Sequence, residues 1–291
     1  MTSRPVNLTS LDRVLFPADG ITKGDVIDYY RRMAETMLPH MRDRPLTLHR
    51  FPQGIDQKGF YMKEAPDYFP DWIERVMVPV EEEGGARQPQ IVCNNPETLL
   101  YIANQGTITP HIWLSRTGHL EQPDKIIWDL DPGELGFEAV RRAARHLRPL
   151  LEEAGLVPFL MTTGSKGLHI VAPIQVGPRF DDTRAFARAI GQRLVDEYPD
   201  LYTLELSIAA RAGRLFLDYL RNSFAQNSVT PYALRARPGA PVATPLTWDE
   251  LDRPDLHSQS YTLANIFRRL AQKGDPMAGM DEQAKPLAVS H

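Results

Sequence analysis

The chain has 291 residues, of which 42% are hydrophobic and 24% are charged, and its formal net charge is −4 at pH 7. This composition is typical of a globular protein and excludes a chain that is disordered over most of its length. No apolar run is long enough to cross a bilayer, and the first residues lack the apolar stretch of a secretory signal, so we expect an intracellular protein. The single cysteine, Cys93, excludes an internal disulfide and a cysteine metal cluster.

The first predicted element is a helix that begins at a capping box. In Thr22-Lys23-Gly24-Asp25 a hydroxyl and a carboxylate are suitably spaced, and apolar residues then recur at helical spacing to about residue 40. A strand is predicted at residues 46–51 and a second extended piece at 59–63. A short helix, with proline in its first turn, is predicted at 96–105.

The later elements mix strands and helices without strict alternation. In order, they are predicted as a strand ending at Asp131, a helix at 137–154, strands at 156–161 and 168–174, a helix at 182–198, a strand at 214–220 and an extended connection at 237–245. This order favours an α+β fold over a doubly wound parallel sheet. We interpret residues 1–291 as one domain that ends, from about 271 to 291, in a loose tail with few large apolar residues.

Two carboxylates close the strand in Trp128-Asp129-Leu130-Asp131-Pro132-Gly133. Side chains two residues apart in a strand share a face, so Asp129 and Asp131 stand side by side and repel each other unless a cation lies between them. Mg²⁺ and Mn²⁺ prefer such oxygen ligands. Asp218, inside another apolar strand, is costly to bury unless it is paired or metal-bound. The alternatives are a polar strand end for the pair and an exposed edge position for Asp218.

Two further segments carry donors for an anion. The loop 162–167 contains glycines, three hydroxyls and Lys166, although it is not a Walker A loop and also fits a hairpin turn. The stretch from Ser207 to Arg237 has one acid, Asp218, and suits either phosphate contact or a solvated basic face. Its arginines are Arg211, Arg214, Arg221, Arg235 and Arg237.

Aromatic and histidine side chains complete the candidate residues. Phe60 and Tyr61, beside Lys58 and Lys63, form either a stacking platform for a base or a pair that is half core and half surface. His111 and His169 are interpreted by default as structural histidines, because each stands among apolar neighbours.

The order and spacing of several segments are specific to one family. In chain order the segments are 12–17, 22–23, 49–54, 59–63, His111, 129–133, 163–169, 211–218 and 230–237. Together they resemble the polymerase domain of bacterial ligase D, in the archaeo-eukaryotic primase superfamily, from about residue 7 to about 270.

The resemblance implies a primase-type α+β catalytic core with mixed, largely antiparallel sheets flanked by helices. It implies template-directed nucleotidyl transfer, with a preference for ribonucleotides, to DNA 3′ ends at breaks or short gaps. Two Mn²⁺ or Mg²⁺ ions are the implied cofactors. The implied partners are DNA that is gapped or broken and 5′-phosphorylated, NTP or dNTP, Ku and a DNA ligase, and the implied location is the bacterial cytoplasm at the nucleoid.

The resemblance also implies three groups of site residues. The catalytic metal ligands are Asp129, Asp131 and Asp218. The residues implied to hold the incoming nucleotide are Phe60 or Tyr61, His111, Thr163, Ser165, Lys166, His169, Arg211 and Arg221. The residues implied to contact DNA are Arg13, Lys23, His49, Lys63, Arg235 and Arg237, with Arg13 and Lys23 at a 5′-phosphate.

Three positions depart from the family pattern. His49 and Arg13 each stand where relatives have lysine, and Thr163 replaces a common serine. A phosphate contact at His49 is therefore pH-dependent or lost, and the geometry at Arg13 is altered.

Three rival functions remain open. The same carboxylates could activate water in a two-metal nuclease, although the donor loop favours a triphosphate. A primase that starts chains de novo would use the same centre. A non-catalytic module would bind 5′-phosphorylated DNA ends through Lys23 and Arg13 and would be indifferent to Asp218.

Overall fold

The computed structural model describes residues 6–80 and 86–288, and the chain divides into two compact units. Unit 1 comprises Met1–Leu120, Asn227–Val242 and Thr262–Asn265, and unit 2 comprises Glu121–Gln226, Ala243–Tyr261 and Ile266–His291. Among the described residues, no helix is both long and apolar enough to span a membrane.

The α-helices of the described residues are α1 (Lys23–Met41), α2 (Pro96–Asn104), α3 (Phe137–Glu153), α4 (Phe180–Glu197) and α5 (Ile266–Lys273). The strands are β1 (Val14–Phe16), β2 (Ile21–Thr22), β3 (Leu46–Arg50), β4 (Phe60–Met62), β5 (Arg75–Pro79), β6 (Arg87–Ile91), β7 (Thr107–Trp113), β8 (Lys125–Leu130), β9 (Phe159–Thr162), β10 (Leu168–Pro173), β11 (Tyr202–Thr203), β12 (Leu215–Asp218), β13 (Asn227–Val229) and β14 (Thr244–Leu246). The expected α+β class with largely antiparallel sheets is confirmed.

Unit 1 is built on a four-stranded antiparallel sheet in the order β13-β7-β3-β4. The capping box predicted for α1 is present, with Thr22 Oγ1 accepting from Asp25 N and Asp25 Oδ2 accepting from Thr22 N. The helix is tied to the sheet where the buried Tyr30 hydroxyl donates to Ile108 O of β7 at 2.5 Å. Two hairpins, β1-β2 and β5-β6, complete the strands of this unit.

The sequence did not predict β7, although it is an inner strand of that sheet and is buried along its length. Pro110 lies in the middle of β7, and a proline argues against a central strand because it has no N–H to donate. Its carbonyl oxygen accepts from both the backbone N–H and the hydroxyl of Thr230. The N–H and C=O groups of a strand residue point to the same side, so the missing N–H faces Thr230, just past the end of the edge strand β13. The proline therefore falls where pairing with β13 ends, which no local pattern could show.

Unit 2 is built on a six-stranded sheet in the order β11-β12-β8-β10-β9-β14. Its neighbours are antiparallel except for β11 and β12, which are parallel. Helices α3 and α4 pack on β8, and the buried Trp128 of β8 donates through Nε1 to Ala187 O of α4 at 3.3 Å. Strand β8 therefore has β12 on one side and β10 on the other, in the middle of the unit.

Two segments of unit 2 differ from the sequence predictions. Part of the predicted extended connection forms β14, which pairs with the edge of β9. The segment predicted as a loose tail from residue 271 continues α5 and then buries Met277 and Met280, which are 2% and 5% exposed. Lys285 also pairs with Ile174 next to β10. Both segments are ordered by surfaces that distant residues supply. The last three residues, 289–291, lie outside the described part.

Candidate active site

A row of three polar side chains crosses the middle of the sheet in unit 2. Asp129 of β8 is in register with Asp218 of β12 on one side and with His169 of β10 on the other. Side chains of residues in register on neighbouring strands point to the same face of the sheet. Pairing between strands therefore brings together Asp129 and Asp218, which are far apart in the sequence.

A guanidinium and an imidazole lie next to these carboxylates. Arg221 Nε donates to Asp129 Oδ2 at 3.0 Å and lies 3.8 Å from Asp218 Oδ2, while His169 Nε2 is 3.4 Å from Asp129 Oδ1. Burial raises the pKa of Asp129, but His169 and Arg221 outweigh it and hold that pKa well below its usual range. Burial and the neighbouring Asp129 charge instead raise the pKa of Asp218.

Asp131 lies just beyond the end of β8 and is exposed. Its Oδ1 accepts from the backbone N–H of Gly133 at 2.9 Å, so the side chain is engaged in the turn that follows the strand. Within residues 6–80 and 86–288, no three His, Cys, Asp or Glu side chains are arranged to hold a metal ion. The structure therefore pairs two of the three predicted ligands and leaves the third in its own turn.

The carboxylates open onto a cleft of about 520 Å³ within unit 2. The lining residues are Asp129, Asp131, Pro132, Gly133, Glu134, Leu135, Ile208, Arg211, Gly213, Arg214, Leu215, Phe216, Asp218 and Arg221. The Arg211 guanidinium lies over the Phe216 ring, 4.2 Å from its centroid, and donates to Glu205 O and Leu206 O. A guanidinium held in this way faces the cleft as a fixed positive charge.

The loop between β9 and β10 lies beside the same row. Thr163 Oγ1 accepts from the backbone N–H groups of Ser165 and Gly167, so the predicted phosphate-binding hydroxyl organises its own loop. A Cβ atom at Gly167 would lie 1.9 Å from Leu130 O of β8, which explains why only glycine fits there. Lys166 is exposed at the tip.

Two residues that the sequence analysis missed hold this loop from outside. Ser258 Oγ donates to Gly167 O at 3.0 Å, and Gln259 Nε2 donates to Ser165 O at 2.7 Å. Both lie in a segment without regular structure, and the sequence carried no signal that could have placed them here.

Asn222 is a third residue that the sequence analysis missed, and it fixes the turn that carries Arg221. Its fully buried side chain accepts from Ile127 N through Oδ1 and donates to Ile127 O through Nδ2. It therefore acts like an extra strand residue beside β8. An asparagine soon after a strand-borne aspartate is too common a pattern to have predicted this role.

In unit 1, the two predicted stacking residues point to opposite faces of the sheet. Tyr61 is 58% exposed and stacks on His49 with the ring centroids 4.1 Å apart, and the His111 ring lies on the same face, 5.7 Å from Tyr61. Phe60 points to the opposite face, where the Arg50 guanidinium lies 5.3 Å from its centroid. Only one of the two rings can therefore stack on a base at the face that carries His111. That ring is Tyr61.

His49 is a neutral aromatic partner in this stack at neutral pH. Burial, together with the nearby charge of Arg235, lowers the pKa of His49 to about 4. The imidazole therefore carries no charge for a phosphate near neutrality. Of the two predicted alternatives, a pH-dependent phosphate contact and a lost one, a neutral imidazole stacked on Tyr61 favours the second.

The two cations predicted at a 5′-phosphate lie close to each other in unit 1. Lys23 is 7% exposed, and its Nζ donates to Thr9 O at 2.5 Å. Burial, and then the charge of Arg13, lower the pKa of Lys23. Arg13 donates to Pro52 O at 2.8 Å. An anion between these two cations would relieve their repulsion. Of the other predicted DNA contacts, Lys63 is exposed and Arg235 and Arg237 are half-buried.

Comparison with known proteins identifies the family of this chain. Residues 22–277 match the family model described as LigD, primase-polymerase domain. The chain belongs to the LigD primase-polymerase domain family.

One solved relative of this LigD domain is the polymerase domain from Mycobacterium tuberculosis ligase D in complex with DNA. It is 34% identical, with a TM-score of 0.91 over 97% of this chain and 100% of that one. The M. tuberculosis multifunctional non-homologous end joining DNA repair protein LigD is 36% identical over 97% of this chain and 38% of its own length. The Bacillus subtilis bifunctional non-homologous end joining protein LigD is 30% identical over 99% of this chain and 47% of its own length. The chain thus spans less than half the length of these curated relatives.

Proposed function

We propose that this LigD domain is a DNA-directed nucleotidyltransferase that adds nucleotides, preferably ribonucleotides, to DNA 3′ ends during end joining or short-gap repair. The observation that carries the proposal is the pairing of Asp129 with Asp218 across β8 and β12, at a cleft that also contains Arg211. Two adjacent carboxylates beside fixed guanidinium groups suit a reaction in which metal ions and a polyphosphate meet.

The donor set fits Mn²⁺ or Mg²⁺, because the paired carboxylates already hold a cation, the Arg221 guanidinium, beside their oxygen atoms. Asp129 and Asp218 would hold the two ions, together with Asp131, which the family resemblance assigns to the same centre. Bound there, the ions would lower the pKa of the primer hydroxyl and neutralise charge on the leaving pyrophosphate.

The chain's own residues would bind and orient the nucleotide. Arg211 and Lys166 would neutralise the triphosphate, and the glycine-containing loop would offer backbone N–H groups. His169 would keep Asp129 ionised and oriented through the contact at 3.4 Å. Tyr61, stacked on His49, would present an aromatic surface to a base.

Recognition of the DNA end would use the cations of unit 1. Lys23 is held by a neutral carbonyl oxygen and repelled by Arg13, so a 5′-phosphate would stabilise both. The relatives are end-joining proteins in which this chain corresponds to only a part. We therefore also propose Ku and a DNA ligase as partners.

Primer extension on a gapped duplex with Mn²⁺ and each NTP or dNTP tests the proposal. We expect Asp129→Asn and Asp218→Asn each to slow extension by about a hundredfold or more, because stabilisation of the reacting charges by metal amounts to several kcal/mol. Asp196→Asn, on the surface of α4 where Asp196 pairs with Gln192, is the matched control.

Equal extension by the wild type and both aspartate variants would refute a polymerase. Shortening of labelled DNA without nucleotides would indicate a nuclease instead. Products formed on a template without a primer would assign de novo priming to the same centre.

A further inference from the structure

Arg221 lies between two of the carboxylates that the proposed reaction needs. Its Nε atom is 3.0 Å from Asp129 Oδ2 and 3.8 Å from Asp218 Oδ2. Asn222, clamped to both backbone groups of Ile127, fixes the turn from which this side chain extends. A guanidinium does not lose its proton in proteins. The carboxylate pair therefore has a permanent counter-ion that belongs to the chain.

We infer that Arg221 is an internal counter-ion that a divalent cation has to displace from Asp129 and Asp218 before it binds them. The inference rests on the proposed function, since it takes these carboxylates as metal ligands. A metal ion and a guanidinium compete for the same carboxylate oxygen atoms, and the Asp129 oxygen that faces Arg221 is already engaged. Arg221 thus weakens metal binding to the free protein and acts as a positioning residue for the two carboxylates.

The exposure of the three side chains suits such an exchange. The Arg221 side chain is 41% exposed, whereas those of Asp129 and Asp218 are 15% and 24% exposed. The carboxylates are therefore held within the sheet, while the arginine side chain is the most open to solvent of the three. Because Arg221 lines the same cleft as Arg211, its displaced guanidinium stays near the space proposed for the triphosphate. A positive charge there would pair with phosphate oxygen atoms.

Mn²⁺ titration by calorimetry, without DNA or nucleotide, tests the inference. We expect Arg221→Gln to bind Mn²⁺ about fivefold to tenfold more tightly than the wild type, because one partly screened positive charge beside the ion is removed. Arg221→Lys keeps the charge without the planar fork, so its affinity should fall between the two.

Arg193→Gln is the matched control for this titration. The Arg193 side chain is 47% exposed and pairs with Glu153 of α3, so the substitution removes an ion pair outside the cleft. Its Mn²⁺ affinity should stay within about twofold of the wild type, as expected for an exposed charge screened by salt.

An unchanged or weaker Mn²⁺ affinity in Arg221→Gln would overturn the inference, and so would an equal gain in Arg193→Gln. Circular dichroism checks that each variant is folded. If Arg221→Gln does not fold, an affinity of Arg221→Lys equal to or below that of the wild type overturns the inference. The titration needs no turnover, so its failure is distinct from a failure of primer extension, which would refute the proposed function.

Discussion

Asp129 is ionised although its side chain is only 15% exposed, because His169 and Arg221 contact its two oxygen atoms. Asp218, in register with it, has the opposite shift in pKa because it is buried beside that charge. The two shifts differ because Asp129 is contacted by His169 and Arg221, whereas Asp218 lies beside the Asp129 charge and 3.8 Å from Arg221. At the residue scale, the candidate site is therefore defined by the contacts of His169 and Arg221 with its carboxylates.

The pKa of His49 leads to a prediction for stability. In the folded protein this pKa is about 4, below the usual value of 6.5, so the unfolded chain binds the proton first as the pH falls. The stabilising contribution of neutral His49 is complete above about pH 6.5 and is lost progressively as the pH falls towards 4. Urea unfolding at about pH 7.5 and about pH 5 should show a smaller loss of stability for His49→Phe than for the wild type.

Phenylalanine is the matched replacement here because it keeps an aromatic ring against Tyr61. His119, which lies in an exposed turn, provides the control, and His119→Phe should keep the pH response of the wild type. The same pH response in His49→Phe and the wild type would contradict the assigned protonation state.

At the scale of elements, one strand organises the site in unit 2. Strand β8 carries Asp129, which lies between Asp218 of β12 and His169 of β10. The loop between β9 and β10 contacts β8 where Gly167 lies next to Leu130 O. Each neighbour is antiparallel, so every partner is placed by register. The loop adds no regular structure of its own and depends on Ser258 and Gln259 for its position.

Substitution of Gly167 by alanine tests the contact between the loop and β8. A Cβ atom would lie 1.9 Å from Leu130 O, and backbone atoms on both sides would have to separate. We expect Gly167→Ala to lower the free energy of unfolding by about 1–3 kcal/mol or more, the usual cost of overpacking. Chemical denaturation measures this change.

Gly118→Ala provides the control, because a Cβ atom at Gly118 would meet no atom within 4 Å. Its stability should stay within about 0.5 kcal/mol of the wild type. An equally mild effect at Gly167 would mean that the loop has room to withdraw from β8.

At the scale of the whole molecule, cations are grouped locally although the chain carries a formal net charge of −4. Lys23 lies beside Arg13 in unit 1, and three arginines line the cleft of unit 2 together with four acidic residues. The proposed binding of DNA would therefore rely on local clusters of cations, because the chain as a whole does not attract a polyanion.

We expect DNA affinity to fall steeply as salt rises, because bound cations release counter-ions from the phosphates. Lys23→Ala should remove the preference for a 5′-phosphate over a 5′-hydroxyl end and should lower the salt slope by about one. Fluorescence anisotropy at several salt concentrations measures both quantities. Lys273→Ala, at a surface lysine 3.8 Å from Asp249, should change neither. A DNA affinity that does not change with salt concentration would show that phosphate contacts do not contribute to binding.

The sequence by itself determined the elements whose patterns are local. The capping box started α1, helical spacing predicted α3 and α4, and an apolar run predicted β8 with its terminal carboxylates. These signals are local because backbone hydrogen bonds and side-chain spacing operate over a few residues. The order of motifs was enough to predict the family.

Only the tertiary structure decided which distant residues meet. Pro110 is placed in β7 where pairing with the edge strand β13 ends, and strand register makes Asp218 a neighbour of Asp129. Arg221 contacts the carboxylate of Asp129 from a turn that Asn222 holds against β8. Such contacts depend on strand pairing and packing between segments far apart in the chain, which the local physical preferences of a segment do not specify.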